Sequence, residues 1–71
     1  MRVRYSRGED VLLIELSGEE IDHAEEASPL IVHVSREGRP VVIEILDASE
    51  FLAKVSRAAM RAGEEAVELA L

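Results

Sequence analysis

The chain has 71 residues, no cysteine and a formal net charge of −7, from 15 acidic and 8 basic residues. A single small domain of this size buries only about 60% of its unfolded surface, and without cysteine neither a disulfide nor a thiolate-bound metal can stabilise it. Self-association is the remaining common remedy. The acidic balance argues against nucleic-acid binding by the isolated chain.

Neither a membrane span nor a targeting segment is visible in the sequence. No apolar run approaches the roughly 18 residues that a span requires, and no charged-then-apolar leader precedes a cleavage site. We therefore expect a cytoplasmic protein that does not associate with membranes.

The first part of the chain predicts an antiparallel hairpin. Residues 2–6 alternate between basic and apolar side chains, and residues 11–16 form a second strand-like segment. The turn between them contains Gly8, which can adopt a positive φ.

Residues 17–28 are polar, acidic and poorly periodic, which predicts a long loop with a short extended piece around Ile21 at most. No basic residue lies between Arg7 and Arg36. Such a segment would attract a basic partner, and the alternative interpretation is a solvated loop that maintains solubility.

Two further strands and a helix start follow. Residues 30–34 form the third predicted strand, and Gly38 is expected in the left-handed position of the next turn. The fourth strand, residues 41–46, is aliphatic at every position but one. Asp47 and Glu50 have the spacing of a capping box, so the helix should begin at residue 48.

The apolar stripe of the helix stays in phase past Gly63, which predicts a helix over residues 48–70. The rival interpretation ends the helix before Gly63, which would then act as its C-terminal cap. A continuous helix would outreach its sheet and leave Ala62, Ala66 and Leu69 uncovered.

These elements predict an α+β fold in a single domain, residues 1–71. A four-stranded antiparallel β-meander (residues 1–46) is followed by one C-terminal helix packed on one face. The opposite face of the sheet would then expose Leu13, Ile31 and Val42. A contiguous apolar patch usually marks a contact, so we expect a homodimer formed by this patch or by the helix end.

Few residues suggest chemistry. His33 and Glu44 on facing strands could form an acid–base pair or half of a metal site, but a structural cross-strand pair explains them equally well. The acidic loop offers oxygen and imidazole ligands without a defined geometry. No phosphate loop or nucleophile motif is present, so we expect no catalytic residue, no cofactor, no metal site and no enzymatic activity.

Gly38 and the run Ile43-Glu44-Ile45-Leu46-Asp47-Ala48-Ser49 resemble the signature of a family of small bacterial proteins, the domain-of-unknown-function family DUF2283. The resemblance covers about residues 1–50, including an opening strand with a Tyr and a second strand that ends in Leu16-Ser17. The chain departs from the family at Leu13, His33 and Pro40. The family has no established activity and transfers no catalytic residue. Some members are encoded beside small toxin-like proteins, which implies an antitoxin role for those members.

Two hypotheses for function follow. The first is a non-catalytic interaction module, an antitoxin-like acidic protein that binds a small basic protein. The alternative is a small metal- or ligand-binding protein that uses His33, Glu44 and the acidic loop.

Overall fold

A computed structural model of the chain describes residues 1–61. It contains five strands and one helix: β1 (Arg2–Ser6), β2 (Val11–Glu15), β3 (His23–Ala27), β4 (Leu30–Val34), β5 (Pro40–Ile45) and α1 (Ala48–Arg61). The α+β class is confirmed. The four-stranded meander is wrong, because the sheet has five antiparallel strands in the order β1-β2-β5-β4-β3. The predicted continuation of the helix through Gly63 and the predicted contact residues Ala62, Ala66 and Leu69 lie outside the described residues.

The last strand in sequence, β5, occupies the centre of the sheet between β2 and β4. It contains two buried residues, Val41 and Ile45, and a central position removes more of its surface from water than an edge would. The order β2-β5-β4-β3 is a Greek-key arrangement, in which the long connection comes between β2 and β3. The meander prediction failed because it assumed that strands adjacent in sequence are also adjacent in the sheet.

The fifth strand, β3, lies in the segment predicted to be a loop. It pairs with β4 through a tight turn at Ser28 and Pro29, which are joined by a cis peptide bond. All five residues of β3 are exposed. A strand with no covered face needs no apolar alternation, so the periodicity that reveals other strands is missing here.

The cross-strand register divides the sheet into two faces. We call first face the side that carries Val3, Tyr5, Leu12, Ile14, His23, Glu25, Leu30, Val32, Ile43 and Ile45. We call second face the side that carries Arg2, Arg4, Leu13, Glu15, Ala24, Glu26, Ile31, His33, Val42 and Glu44. This is the partition that strand alternation predicts.

The core lies on the first face. The buried apolar strand residues of the described chain are Val34, Val41 and Ile45, which follow the alternation of that face. In α1 the less exposed stripe contains Phe51, Val55 and Ala58, in addition to the fully buried Ala48 at the start of the helix.

The start of α1 is held by Asp10, in the turn between β1 and β2. The backbone oxygen of Asp10 accepts the Ala48 N–H at 2.9 Å. Its carboxylate accepts the Ser49 N–H at 3.0 Å, the Ser49 hydroxyl at 2.7 Å and the Tyr5 hydroxyl at 2.7 Å. These hydrogen bonds, that of Tyr5 first, lower the pKa of Asp10. A residue distant in sequence therefore satisfies two free N–H groups at the start of the helix, one with its backbone oxygen and one with its carboxylate.

The predicted capping box at Asp47 is wrong, although the helix does begin at residue 48. Asp47 has a φ of 49°, whereas an N-cap residue adopts an extended conformation. Among residues 1–61 its carboxylate accepts no hydrogen bond, and its backbone oxygen accepts the Phe51 N–H at 3.1 Å. Asp10 performs the capping that the sequence assigned to Asp47.

The turns agree in part with prediction. Gly38 has a φ of 84°, as expected for the turn before β5. In the turn between β1 and β2 the positive φ belongs to Asp10, at 54°, and not to Gly8. Within residues 1–61, no helix combines the length and apolarity that crossing a membrane would require.

Candidate protein-interaction surfaces

The first candidate surface is the acidic edge, which we define as residues 19–26. It contains the first four residues of the edge strand β3 and the four residues before it. Glu25 projects on the first face and Glu26 on the second, so both sides of the strand carry negative charge. Ile21 is 45% exposed between acidic neighbours. The surface combines carboxylates, one apolar side chain and the free edge of a sheet.

One carboxylate of the acidic edge forms an ion pair with another part of the domain. Glu19 accepts hydrogen bonds from Arg39, from Nε at 3.1 Å and from Nη2 at 2.5 Å. This contact with Arg39 lowers the pKa of Glu19. Because Arg39 lies in the turn between β4 and β5, the ion pair holds the connection from β2 to β3 across the end of the sheet.

His23 is the one basic side chain within the acidic edge. Its Nδ1 lies 2.9 Å from Asp22 and its Nε2 lies 3.4 Å from Glu25. These hydrogen bonds, that of Asp22 first, raise the pKa of His23. Protonation of His23 would therefore partly neutralise the edge as the pH falls.

A cavity adjoins the acidic edge. Its lining comprises Glu19, Glu20, Ile21 and Asp22 on one side, and Ser35, Arg36 and Glu37 from the turn between β4 and β5 on the other. Neither Glu20 nor Glu26 has a basic partner among residues 1–61. Two carboxylates without a basic partner therefore lie within the acidic edge, one in the lining of the cavity and one on β3.

Three further acidic residues lie between Arg7 and Arg36, outside the acidic edge, and two of them already have partners. Asp10 caps α1, and Glu15 forms ion pairs with Arg4 at 2.8 Å and Arg2 at 3.5 Å. The sequence could not reveal these partners, because they belong to neighbouring strands and turns. The surface available to a basic partner is narrower than the acidic run from Glu9 to Glu26.

The second candidate surface is the second face of the sheet. The register places Leu13 and Ile31 on either side of Glu44, with Val42 two residues away on the same strand. The predicted contact residues Leu13, Ile31 and Val42 therefore share a face. They do not form an unbroken apolar patch, because Glu44 separates Leu13 from Ile31.

His33 and Glu44 meet as the sequence predicts. Their side chains lie 3.1 Å apart on the second face, and they are 26% and 28% exposed. The register sets His33 opposite Val42, so the contact with Glu44 is diagonal across the strands. It satisfies two half-buried polar groups within the sheet.

The residues proposed for a metal site do not converge. His33 and Glu44 lie on the second face, whereas His23 and Glu25 of the acidic edge lie on the first. In the described part of the chain, no group of three or more metal-ligating side chains is close enough to hold an ion. The geometry gives the metal-binding alternative no support.

Comparison with known proteins identifies a family. The family model described as "Protein of unknown function (DUF2283)" matches residues 2–49, which include all five strands and the start of α1. No curated protein matches the chain, and no solved structure does. Because the match covers more than half of its length, the chain belongs to the DUF2283 family.

Proposed function

We propose that this protein is a non-catalytic interaction module that binds a basic segment of a partner protein along the acidic edge. The observation that carries the proposal is the composition and position of β3, an exposed outermost strand with Glu25 and Glu26 on its two sides. Among residues 1–61 no strand pairs with its outer edge, so the N–H and C=O groups there can pair with a strand of another protein.

The acidic edge favours an extended segment as the ligand. A strand added to an open sheet edge gains main-chain hydrogen bonds, while its side chains supply specificity. Here the complementary strand would carry lysine or arginine on both sides, opposite Glu25 and Glu26. An apolar residue could contact Ile21, and the adjoining cavity could receive a basic side chain.

Attraction between opposite charges would also accelerate association. High salt would screen this attraction and weaken the complex. These properties suit an antitoxin-like protein that neutralises a small basic partner, which is the role we propose for this chain.

The test is a titration, followed by fluorescence anisotropy, with a peptide of about seven residues in which pairs of lysines alternate with pairs of valines, so that both sides of the extended strand carry lysine. We expect binding that weakens severalfold as ionic strength rises from about 0.05 to 0.5 M. A peptide of the same composition with N-methylated backbone amides keeps its charge but cannot extend a sheet, and it should bind more weakly. Equal binding of both peptides would exclude strand addition.

Two double variants separate the acidic edge from the net charge of the protein. Glu25→Gln with Glu26→Gln should weaken binding about threefold to tenfold, since each exposed pair contributes little. Glu9→Gln with Glu50→Gln changes the net charge equally outside the edge and should leave the affinity within about twofold of the original. If the two double variants behave alike, or if the unmodified peptide fails to bind at low salt, the proposal is wrong.

A further inference from the structure

We propose that the second face pairs with the second face of another copy of this chain, about a two-fold axis parallel to β5. The inference goes beyond the proposed function, because it uses the second face and not the free edge of β3. It rests on the order of side chains along two rows that cross the sheet.

The first row runs from β1 to β3 through Arg4, Leu13, Glu44, Ile31 and Glu26. A two-fold axis along β5 lays this row over itself in reverse. Arg4 then faces Glu26 of the second copy, and Leu13 faces Ile31 of the second copy. Opposite charges meet at the rim and apolar side chains meet nearer the axis, as in protein interfaces generally.

The second row contains Arg2, Glu15, Val42, His33 and Ala24 in the same direction. Reversal about the same axis places Glu15 against His33 of the second copy and Val42 against its own equivalent. The two rows therefore become complementary under a single symmetry operation, which is the property of an isologous contact.

Other placements are less complementary. An axis perpendicular to the strands and midway between the two rows would lay β1 over β1 of the second copy, so that Arg2 faces Arg4 of the second copy. An axis between β5 and β4 would place Leu13 against Glu26 of the second copy and Glu44 against Ile31. Only the axis along β5 matches charge with opposite charge and apolar side chains with one another.

The axis brings one unfavourable contact, because Glu44 approaches Glu44 of the second copy. Each of these carboxylates keeps His33 of its own chain at 3.1 Å. The area is also small. Five strands at about 4.8 Å spacing and five residues of strand length cover roughly 24 by 17 Å, or about 400 Å² in projection. A face of this size is small for a protein interface, so we expect weak association, with a Kd on the order of 10–100 μM.

The test is a charge exchange between protomers, followed by sedimentation equilibrium. Arg4→Glu alone and Glu26→Arg alone should each weaken self-association about fivefold to tenfold, because each places like charges at two sites of the dimer. An equimolar mixture of the two variants restores opposite charges at both sites and should associate at least as tightly as the original chain. A mixture that associates no better than the separate variants would overturn the proposal.

The axis itself is tested at Val42 and Glu44. Val42→Glu adds a carboxylate beside the axis and should abolish association, and Val42→Thr provides a milder change should that variant fail to fold. Glu44→Gln removes the like-charge contact, keeps a partner for His33, and should tighten association severalfold. Weaker association of Glu44→Gln would contradict the position of the axis.

Two alternative arrangements give distinct results. Edge-to-edge joining of β1 with β3 of another copy would also match Arg4 with Glu26. It would yield open-ended oligomers that Val42→Glu does not affect, and such oligomers would overturn the proposal. The second result is a chain that stays monomeric at hundreds of micromolar and whose Val42→Glu variant no longer binds the lysine–valine peptide. That result would assign the second face to a basic partner and would also overturn the proposal.

Discussion

The central position of β5 makes a quantitative prediction at Ile45. This side chain is 5% exposed and lies between Leu12 of β2 and Leu30 of β4 in the register. Ile45→Val removes one buried methylene group, which is worth about 0.8 kcal/mol by transfer. With the small cavity that remains, we expect a loss of about 1 kcal/mol in the free energy of unfolding.

Ile21→Val is the matched control, since it deletes the same group from a side chain that is 45% exposed. About half of the transfer term, roughly 0.4 kcal/mol, is then available, and no cavity forms. Urea denaturation at one low protein concentration measures both variants, and unchanged m-values are required for the comparison. In thermal unfolding the Ile45 variant should lose about 4–8 °C.

The comparison can refute the strand order. In a meander, the last strand would lie at the edge of the sheet with a neighbour on one side only. Part of the Ile45 side chain would then be uncovered, and the cost of Ile45→Val would fall toward that of Ile21→Val. Equal losses for the two variants, or a larger loss for Ile21→Val, would mean that β5 is not central.

Three further predictions concern the turns and the acidic edge. Because hydrogen bonds lower the pKa of Asp10, its contribution to stability is present above the unfolded pKa and lost as the pH falls through the lowered value. Asp10→Asn should therefore lower the urea midpoint at pH 7 and make that midpoint depend less on pH in the acid range. A larger fall in the midpoint for Asp47→Asn would mean that Asp47, and not Asp10, caps the helix. The raised pKa of His23 has the opposite sign, so its contribution is present below the unfolded pKa and lost as the pH rises through the raised value. His23→Gln should remove this small dependence, measured as the difference in Tm between about pH 5.5 and 8.5. Gly38→Ala should lower the free energy of unfolding by about 1–2 kcal/mol, because the φ of Gly38 is 84°. Gly8→Ala is the control and should cost little, because the space around Gly8 is equally open and its φ is not positive. Similar urea midpoints for the two variants would contradict the turn geometry.

Much of the fold could be predicted because it is encoded locally. The alternation of residues 2–6, 11–16 and 30–34 revealed three strands, and the spacing of Asp47 and Glu50 located the start of the helix although Asp47 does not cap it. Strand order was not encoded in this way, since each strand specifies its faces but not its neighbours. The edge strand β3 escaped detection because exposed glutamates and alanines carry no periodic signal.

The candidate surfaces were predicted in outline. Alternation alone placed Leu13, Ile31 and Val42 on one face and brought His33 to Glu44. The register was needed to show that Glu44 interrupts the apolar patch. The capping role of Asp10 could not be foreseen, because a residue in a distant turn performs what a local motif seemed to provide.

The strand order also determines when the domain can assemble during synthesis. The hairpins β1–β2 and β3–β4 are both local, and isolated hairpins form within microseconds but are marginally stable in water. Nothing joins these two hairpins into one sheet until β5 is inserted between them. A nascent chain that ends before residue 40 therefore holds two separate hairpins, each with an unpaired inner strand. The domain closes in a single late step, when residue 45 leaves the ribosome, and a stall before that point exposes two apolar edges to aggregation.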